Sequence, residues 1–408
     1  MKVLLINNIH YLRGGSETVY FNTAQILENA GHEVFFFSYS DEKNLPCAQE
    51  GYFVKKGNRL SQICQYFYNR EAAQKLNNLI DEVKPDIAHI HLIWGGMSPS
   101  ILDVLHKRGI PIVHTAHDYR MVCPGYLLTD GKGNRCERCK GGKYYQCVVN
   151  RCAKGSMVES LIMTAEMYYR EKKHHPIKKI DGFVFVSNFS RNKHIEFNPR
   201  FKDVSSIVLY NCPGEPIKDS LIMSLDTYSN YYLYFGRLSA EKGVPTLIKA
   251  FEKEAKCKLK IVGTGALETE LKSYCKERSV ANVEFLGYKY GKELFDLVAN
   301  AKYVCVPSEC FENNPMTIVE AYSLKTPVIG AAIGGISEIV ENGRTGFTFE
   351  SGNVDSLTNA INKAENLDKD SYEQLKLESF TFAKENFSRE KYLKKLLAFY
   401  ESLISKTK

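Results

Sequence analysis

The sequence predicts an α/β protein built from two doubly wound domains. Three observations lead there. The chain has 408 residues, too many for one ordinary core. Short apolar runs rich in β-branched and aromatic residues alternate with stretches of helical period along its whole length. The alternation then restarts near residue 229, as a second domain would.

The first half opens with a strand over residues 2–8. The turn Arg13-Gly14-Gly15-Ser16-Glu17 leads into an amphipathic helix from Val19 to Ala30, which Gly31 ends. Glu33–Ser38 is the next strand, completing a βαβ opening. Further strands are read at Pro85–His91, Pro111–His117, Gly182–Ser187 and Ile207–Asn211. The second half repeats the theme. Tyr231–Gly236 is a strand, Val244–Glu254 a helix, and Leu259–Gly263, Val283–Gly287, Tyr303–Pro307 and Pro327–Gly330 are short strands. The expected division is a first domain over 1–211, a connector over 212–228 marked by Cys212-Pro213-Gly214-Glu215-Pro216, a second domain over 229–388, and a terminal helix within 389–408.

Composition is that of a globular protein, with 44% hydrophobic and 25% charged residues. No apolar run approaches the roughly 18 residues a membrane span needs. Met1–Asn7 is too short for a signal peptide and reads as a buried strand, so a cytoplasmic location is expected. The 12 cysteines then argue against a disulfide framework. The net charge of +7 is unevenly spread. Between residues 168 and 202, Arg170, Lys172, Lys173, Lys178, Lys179, Arg191, Lys193, Arg200 and Lys202 face only Glu171, Asp181 and Glu196. With the helical lead-in Leu161–Tyr169, apolar on one side, this suits an anionic membrane surface or a lipid-linked diphosphate acceptor; the alternative is a solvated basic face. No nucleic-acid module is recognised, so no nucleic-acid partner is expected.

The stretch richest in chemistry is Pro307-Ser308-Glu309-Cys310-Phe311-Glu312-Asn313-Asn314-Pro315-Met316-Thr317-Ile318-Val319-Glu320-Ala321. Asn313 or Asn314 suits a helix cap and Pro315 the first helical position. Glu312 then lies in the loop and Glu320 on the helix. The helix start spanning Asn314, Pro315, Met316 and Thr317 offers unused N–H groups, which favour a phosphate. One carboxylate could hold sugar hydroxyls, the other a ribose, with a diphosphate between them. Upstream, Gly236-Arg237-Leu238-Ser239-Ala240-Glu241-Lys242-Gly243 follows a strand and precedes a helix, where ligands bind in a doubly wound sheet. Arg237 and Lys242 there would neutralise a diphosphate and stabilise charge growing on it.

Two glutamates at this spacing followed by Ala, with Gly-Arg and Lys-Gly upstream, resemble the signature of the retaining glycosyltransferases of family 4. Nearly the whole chain shares the resemblance. It implies the GT-B fold, two Rossmann-like domains facing across a cleft, with the last helix crossing back to the N-terminal domain. It implies a donor that is a UDP- or GDP-sugar, and no catalytic metal. Glu312 would orient the sugar and Glu320 bind ribose. Gly14 and Gly15 would meet donor phosphate, and His117, in His117-Asp118, would reach the transferred sugar. His89 and His91 read as core residues. Gly334-Gly335-Ile336-Ser337-Glu338 is similar to the family's turn beside the nucleotide, and Gly263 and Gly265 would lie near the base. Where a dinucleotide fingerprint has its third glycine this chain has Glu268, which argues against an NAD enzyme. Many relatives place Gly-Phe-Gly where Asn313-Asn314-Pro315 stands. A polysaccharide-building subset carries Glu-Asn-x-Pro, so the resemblance implies surface polysaccharide or glycolipid assembly, with a lipid-linked or glycan acceptor and a place at the inner face of the membrane. The alternative is a silent subunit that binds nucleotide sugar.

Five cysteines crowd into one loop: Cys123, Cys136, Cys139, Cys147 and Cys152. Cys136 and Cys139 have zinc-like spacing, and four of the five could form a structural thiolate site stapling a loop with little apolar content. Free thiols are the other reading.

Overall fold

The computed structural model describes residues 1–214, 229–254 and 256–407. These form two compact units: Met1–Tyr210 with Arg389–Lys408, and Asn211–Ser388. Most of the expected connector 212–228 lies outside the described residues.

The first unit is a parallel sheet of six strands. They are β1 (Lys2–Ile6), β2 (Glu33–Phe37), β3 (Ile87–Ile90), β4 (Ile112–Ala116), β5 (Gly182–Phe185) and β6 (Ser206–Val208), in the order β2-β1-β3-β4-β5-β6. Val3, Leu4, Leu5 and Ile6 of β1 are all fully buried, as in a parallel sheet covered by helices on both faces. The helix Arg389–Thr407 belongs to this unit. Its Tyr392 hydroxyl meets Thr23 Oγ1 at 2.9 Å, its Tyr400 hydroxyl meets His89 Nδ1 at 2.5 Å, and Leu396 and Leu403 are buried.

The second unit is also a six-stranded parallel sheet. Its strands are β7 (Ser229–Phe235), β8 (Leu259–Val262), β9 (Val283–Gly287), β10 (Ala301–Val306), β11 (Val328–Ala331) and β12 (Gly346–Phe349), in the order β12-β11-β10-β7-β8-β9. The last strand is not among those expected from the sequence. It has only four residues, Gly346-Phe347-Thr348-Phe349, too few for periodicity to stand out.

Both orders reverse direction once. In the first sheet the reversal falls between β1 and β3, and in the second between β7 and β10. Strand-end loops part on either side of such a point and leave a crevice for a ligand.

Candidate active site

In the second unit the loops after β7 and β10 flank the reversal, and they carry the paired charges. Lys242 Nζ lies 2.6 Å from Glu312 Oε1, and Ser308 Oγ donates to the same oxygen at 2.8 Å. The Lys242 side chain is 27% exposed and that of Glu312 14%. Burial alone would raise the Glu312 pKa, but the ammonium and the Ser308 hydroxyl hold it below the usual carboxylate range. Burial would likewise lower Lys242, but Glu312 raises it. Arg237 reaches outward, 63% exposed, and pairs with Glu241 at 3.0 Å.

Backbone packing fixes these loops. A Cβ on Gly243 would sit 1.9 Å from the Pro307 carbonyl oxygen, so the turn after Lys242 lies directly on the loop leading to Glu312. A Cβ on Gly335 would sit 1.7 Å from the Asn313 carbonyl oxygen, and Gly335 N–H donates to the Glu312 carbonyl at 2.7 Å. The Gly334-Gly335 turn is thus a buttress for the Glu312 loop. Gly263 and Gly265 are placed against the backbone of Gly236 and Leu238.

The helix after Glu312 spans Met316–Ser323. Pro315 is its cap residue, with no side-chain capping bond, which corrects the expected Asn cap and the expected Pro315 helical position. Asn314 instead ties two loops of this unit together. Its Oδ1 accepts from Asn211 N–H and its carbonyl accepts from Asn211 Nδ2, both at 2.8 Å. The N–H groups of Met316 and Thr317 head the helix, where an anion is favoured. Glu320, half-buried one turn on, is pushed up to about 7 by burial.

The first unit treats its polar groups differently. Gly14, in extended backbone, caps the helix Gly15–Asn29 through its carbonyl, which accepts from Thr18 N–H at 3.0 Å. Glu17 folds inward and is buried, with Ser16 Oγ 3.1 Å from its carboxylate, and burial raises its pKa. His117, just past β4, lies with Nε2 2.8 Å from His91 Nδ1, their rings stacked 5.0 Å apart. The His91 ring lies tilted, 4.6 Å from that of His89, which bonds Thr115 Oγ1 at 2.7 Å and Tyr400. His89 and His91 are core residues, and His91 also steers His117. Burial lowers His117 to about 4 and His89 to about 3. Asp118 accepts from Arg120 N–H at 2.9 Å, so it caps the next turn. At this sheet's reversal lies a cavity of about 310 Å³ lined by Asn8, Tyr11, Arg13, Tyr39 and Gln65 among others. Amides and tyrosines of this kind suit sugar hydroxyls and faces.

Two family models match the chain, one described as Glycosyl transferases group 1 over residues 222–380 and one as Glycosyltransferase Family 4 over residues 13–146. The chain belongs to the family 4 type of glycosyltransferases. It is similar to a protein described as an uncharacterized 42.6 kDa protein in the cps region of Klebsiella pneumoniae, at 26% identity over 83% of this chain and 87% of that one. It is also similar to O-antigen chain mannosyltransferase C of Escherichia coli, at 23% identity over 89% and 88%. Among solved structures, Anabaena HepE in complex with UDP matches with a TM-score of 0.67 at 18% identity, covering 99% of this chain and all of that one. The fold is GT-B.

In this glycosyltransferase the cysteines stand in two hydrogen-bonded pairs, Cys123 with Cys139 and Cys147 with Cys152. The bond from Cys139 lowers Cys123, and the bond from Cys152 brings Cys147 to about 7. Cys136 belongs to neither pair and is half-buried. Among the described residues no group of three or more His, Cys, Asp or Glu is arranged to hold a metal ion. The thiols nevertheless share one neighbourhood: Cys139 is raised by Cys123, Cys147 and Cys152 nearby, and Cys152 by Cys147, Cys123 and Cys136.

The expected basic face is also modified. Of its nine cations, Arg170 pairs with Glu166, Lys179 with Asp103, Lys193 with Glu137 and Glu196, and Arg200 with Glu171. Glu137, Glu166 and Asp103 come from outside the counted window, which a local charge count does not see. Ser308, Asn211 and Glu241 also serve the site without a signal of their own in the sequence. A lone Ser in a loop carries no pattern, and Asn211 acts across 103 residues of chain.

Proposed function

We propose that this glycosyltransferase moves a hexose from a UDP- or GDP-sugar to a hydroxyl of a lipid-linked or glycan acceptor, with retention of anomeric configuration, in surface polysaccharide assembly. The observation that carries the reading is the Lys242–Glu312 pair at the sheet reversal, 2.6 Å apart, next to a helix start with unused N–H groups. A diphosphate arriving there meets a cation already held in place, which costs little reorganisation. Lys242 and Arg237 take the phosphates and offset charge on the leaving group. Releasing Lys242 to the phosphate frees Glu312 to accept from sugar hydroxyls. Glu320, once ionised, accepts from the ribose. In the first unit the cavity beside Arg13 suits the acceptor, and His117 offers a neutral ring to a sugar. The leaving phosphate helps to remove the acceptor's proton. The cps-region and O-antigen relatives support the polysaccharide setting, and the UDP complex of a similar fold supports the donor class.

The test is turnover of a panel of UDP- and GDP-hexoses, with proton NMR of the product. Release of one nucleotide with an α-linked product from an α-linked donor is expected. A β-linked product contradicts retention, and no release from any donor contradicts the enzyme reading.

A further inference from the structure

The helix Met157–Lys173 carries apolar side chains on its outward face as well as its inward one. Its inward face carries Ser160, Thr164, Glu166, Met167 and Arg170, all buried, with a charge cluster in which Glu166 lies 3.5 Å from Arg170 and 3.6 Å from Arg120. Its outward face carries Val158 and Leu161, 68% and 57% exposed, with Met157 and Tyr168. The short helix Gln146–Val149 packs beside it and adds Tyr145 and Val149, the latter 70% exposed. Tyr168 joins the two, since its hydroxyl accepts from Tyr145 N–H at 3.2 Å. Among the described residues, 7 of the 13 exposed large apolar side chains fall between Tyr126 and Tyr168. Single exposed apolar residues need no explanation, but a contiguous set on one lobe does.

Around this patch positive charge predominates. Lys132, Arg135, Lys143, Arg151 and Lys154 are exposed, and Glu159 is the exposed carboxylate on the helix's first turn. Glu137 is neutralised by Lys140 and Lys193. Apolar side chains at the tip of a lobe with lysines and arginines at its rim match a bilayer interface, where chains enter the acyl boundary and cations meet phosphates.

We propose that this lobe, residues 126–168, seats the enzyme on an anionic phospholipid bilayer, with Val149, Val158 and Leu161 entering the interface. No described helix is long and apolar enough to cross a membrane, so the contact is peripheral. The inference rests on the reading of the acceptor as lipid-linked, and it names the surface that would bring the enzyme to it.

The experiment is flotation of the full chain with phosphatidylcholine vesicles, with and without phosphatidylglycerol, for wild type, Val158→Glu/Leu161→Glu and Arg151→Glu/Lys154→Glu. Wild type should float with the anionic vesicles only, and each double variant should bind at least about tenfold more weakly. UDP and GDP titrations on the same samples report folding and donor binding separately. A variant that keeps the nucleotide and loses the vesicles supports the proposal. Wild type that ignores anionic vesicles, or a Val158→Glu/Leu161→Glu variant that floats as well as wild type, overturns it. So does self-association of wild type in ultracentrifugation that the same variant abolishes. A wild type that floats but binds neither nucleotide leaves the lobe standing and sinks the donor reading.

Discussion

The two units handle charge in opposite ways. The second holds a cation and a carboxylate face to face, Lys242 on Glu312, and turns a second cation, Arg237, toward solvent. The first gathers histidines that burial keeps neutral, with His89, His91 and His117 all lowered, while burial raises Asp118 to about 6. A diphosphate needs fixed positive charge, while a sugar needs donors and acceptors without net charge. The contrast teaches where each kind of perturbation should act.

The largest effect is expected for Lys242→Ala. It removes the cation meant for the diphosphate and leaves Glu312 buried without its partner, a situation that costs about 1–3 kcal/mol for hydrogen-bonded buried groups. Nucleotide affinity should fall roughly 10- to 100-fold and Tm should drop, measured by calorimetry and thermal melts. The double variant Lys242→Ala/Glu312→Gln should recover Tm without recovering affinity.

Glu312→Gln comes next. Transfer should fall about 10²-fold or more, as for loss of one preorganised group, while nucleotide binding changes little. Transfer by this variant at the wild-type rate contradicts the assigned role.

A smaller effect separates the two units by pH. Burial pushes Glu320 up to about 7, and its ionised form, with both oxygens free to accept, is the stronger acceptor for two ribose hydroxyls. Donor affinity should therefore rise as pH passes upward through about 7, and Glu320→Gln should flatten that rise. His117, lowered to about 4, stays neutral over the same range. His117→Asn should lower transfer without changing the shape of the pH profile. A lost inflection near neutrality in that variant would mean the ring carries a proton.

The smallest effect is expected for His91→Phe. The bond from His91 to His117 at 2.8 Å is lost, but the packing volume remains. Transfer should fall by about tenfold or less, with the change in kcat and not in nucleotide affinity. An unchanged kcat makes His91 a packing residue only.

Much of this is legible in the sequence, for definite reasons. Strands such as Val3–Ile6 are apolar on both faces, so they stand out as runs. The Arg237 and Lys242 turn and the Glu312 loop lie at strand ends, where turn residues mark them. Relations between distant segments are not legible. The Asn211–Asn314 bonds and the Gly335 buttress under Glu312 depend on backbones meeting in space. The same limit explains the cysteines, whose pairs are Cys123–Cys139 and Cys147–Cys152 and not the adjacent Cys136–Cys139. It also explains the basic stretch, whose carboxylate partners lie outside the counted window. The helical pattern over Leu161–Tyr169 is apolar on one side, but sequence alone does not say that this side faces out.

The loops after β7 and β10 are expected to form a diphosphate site organised by Lys242. Calorimetric titration of wild type and Lys242→Ala with UDP, GDP, ADP and NAD tests it most directly. UDP or GDP should bind wild type, NAD should not, and Lys242→Ala should bind the nucleotide roughly 10- to 100-fold more weakly. Binding of NAD alone, or equal UDP or GDP affinity in both proteins, would contradict it.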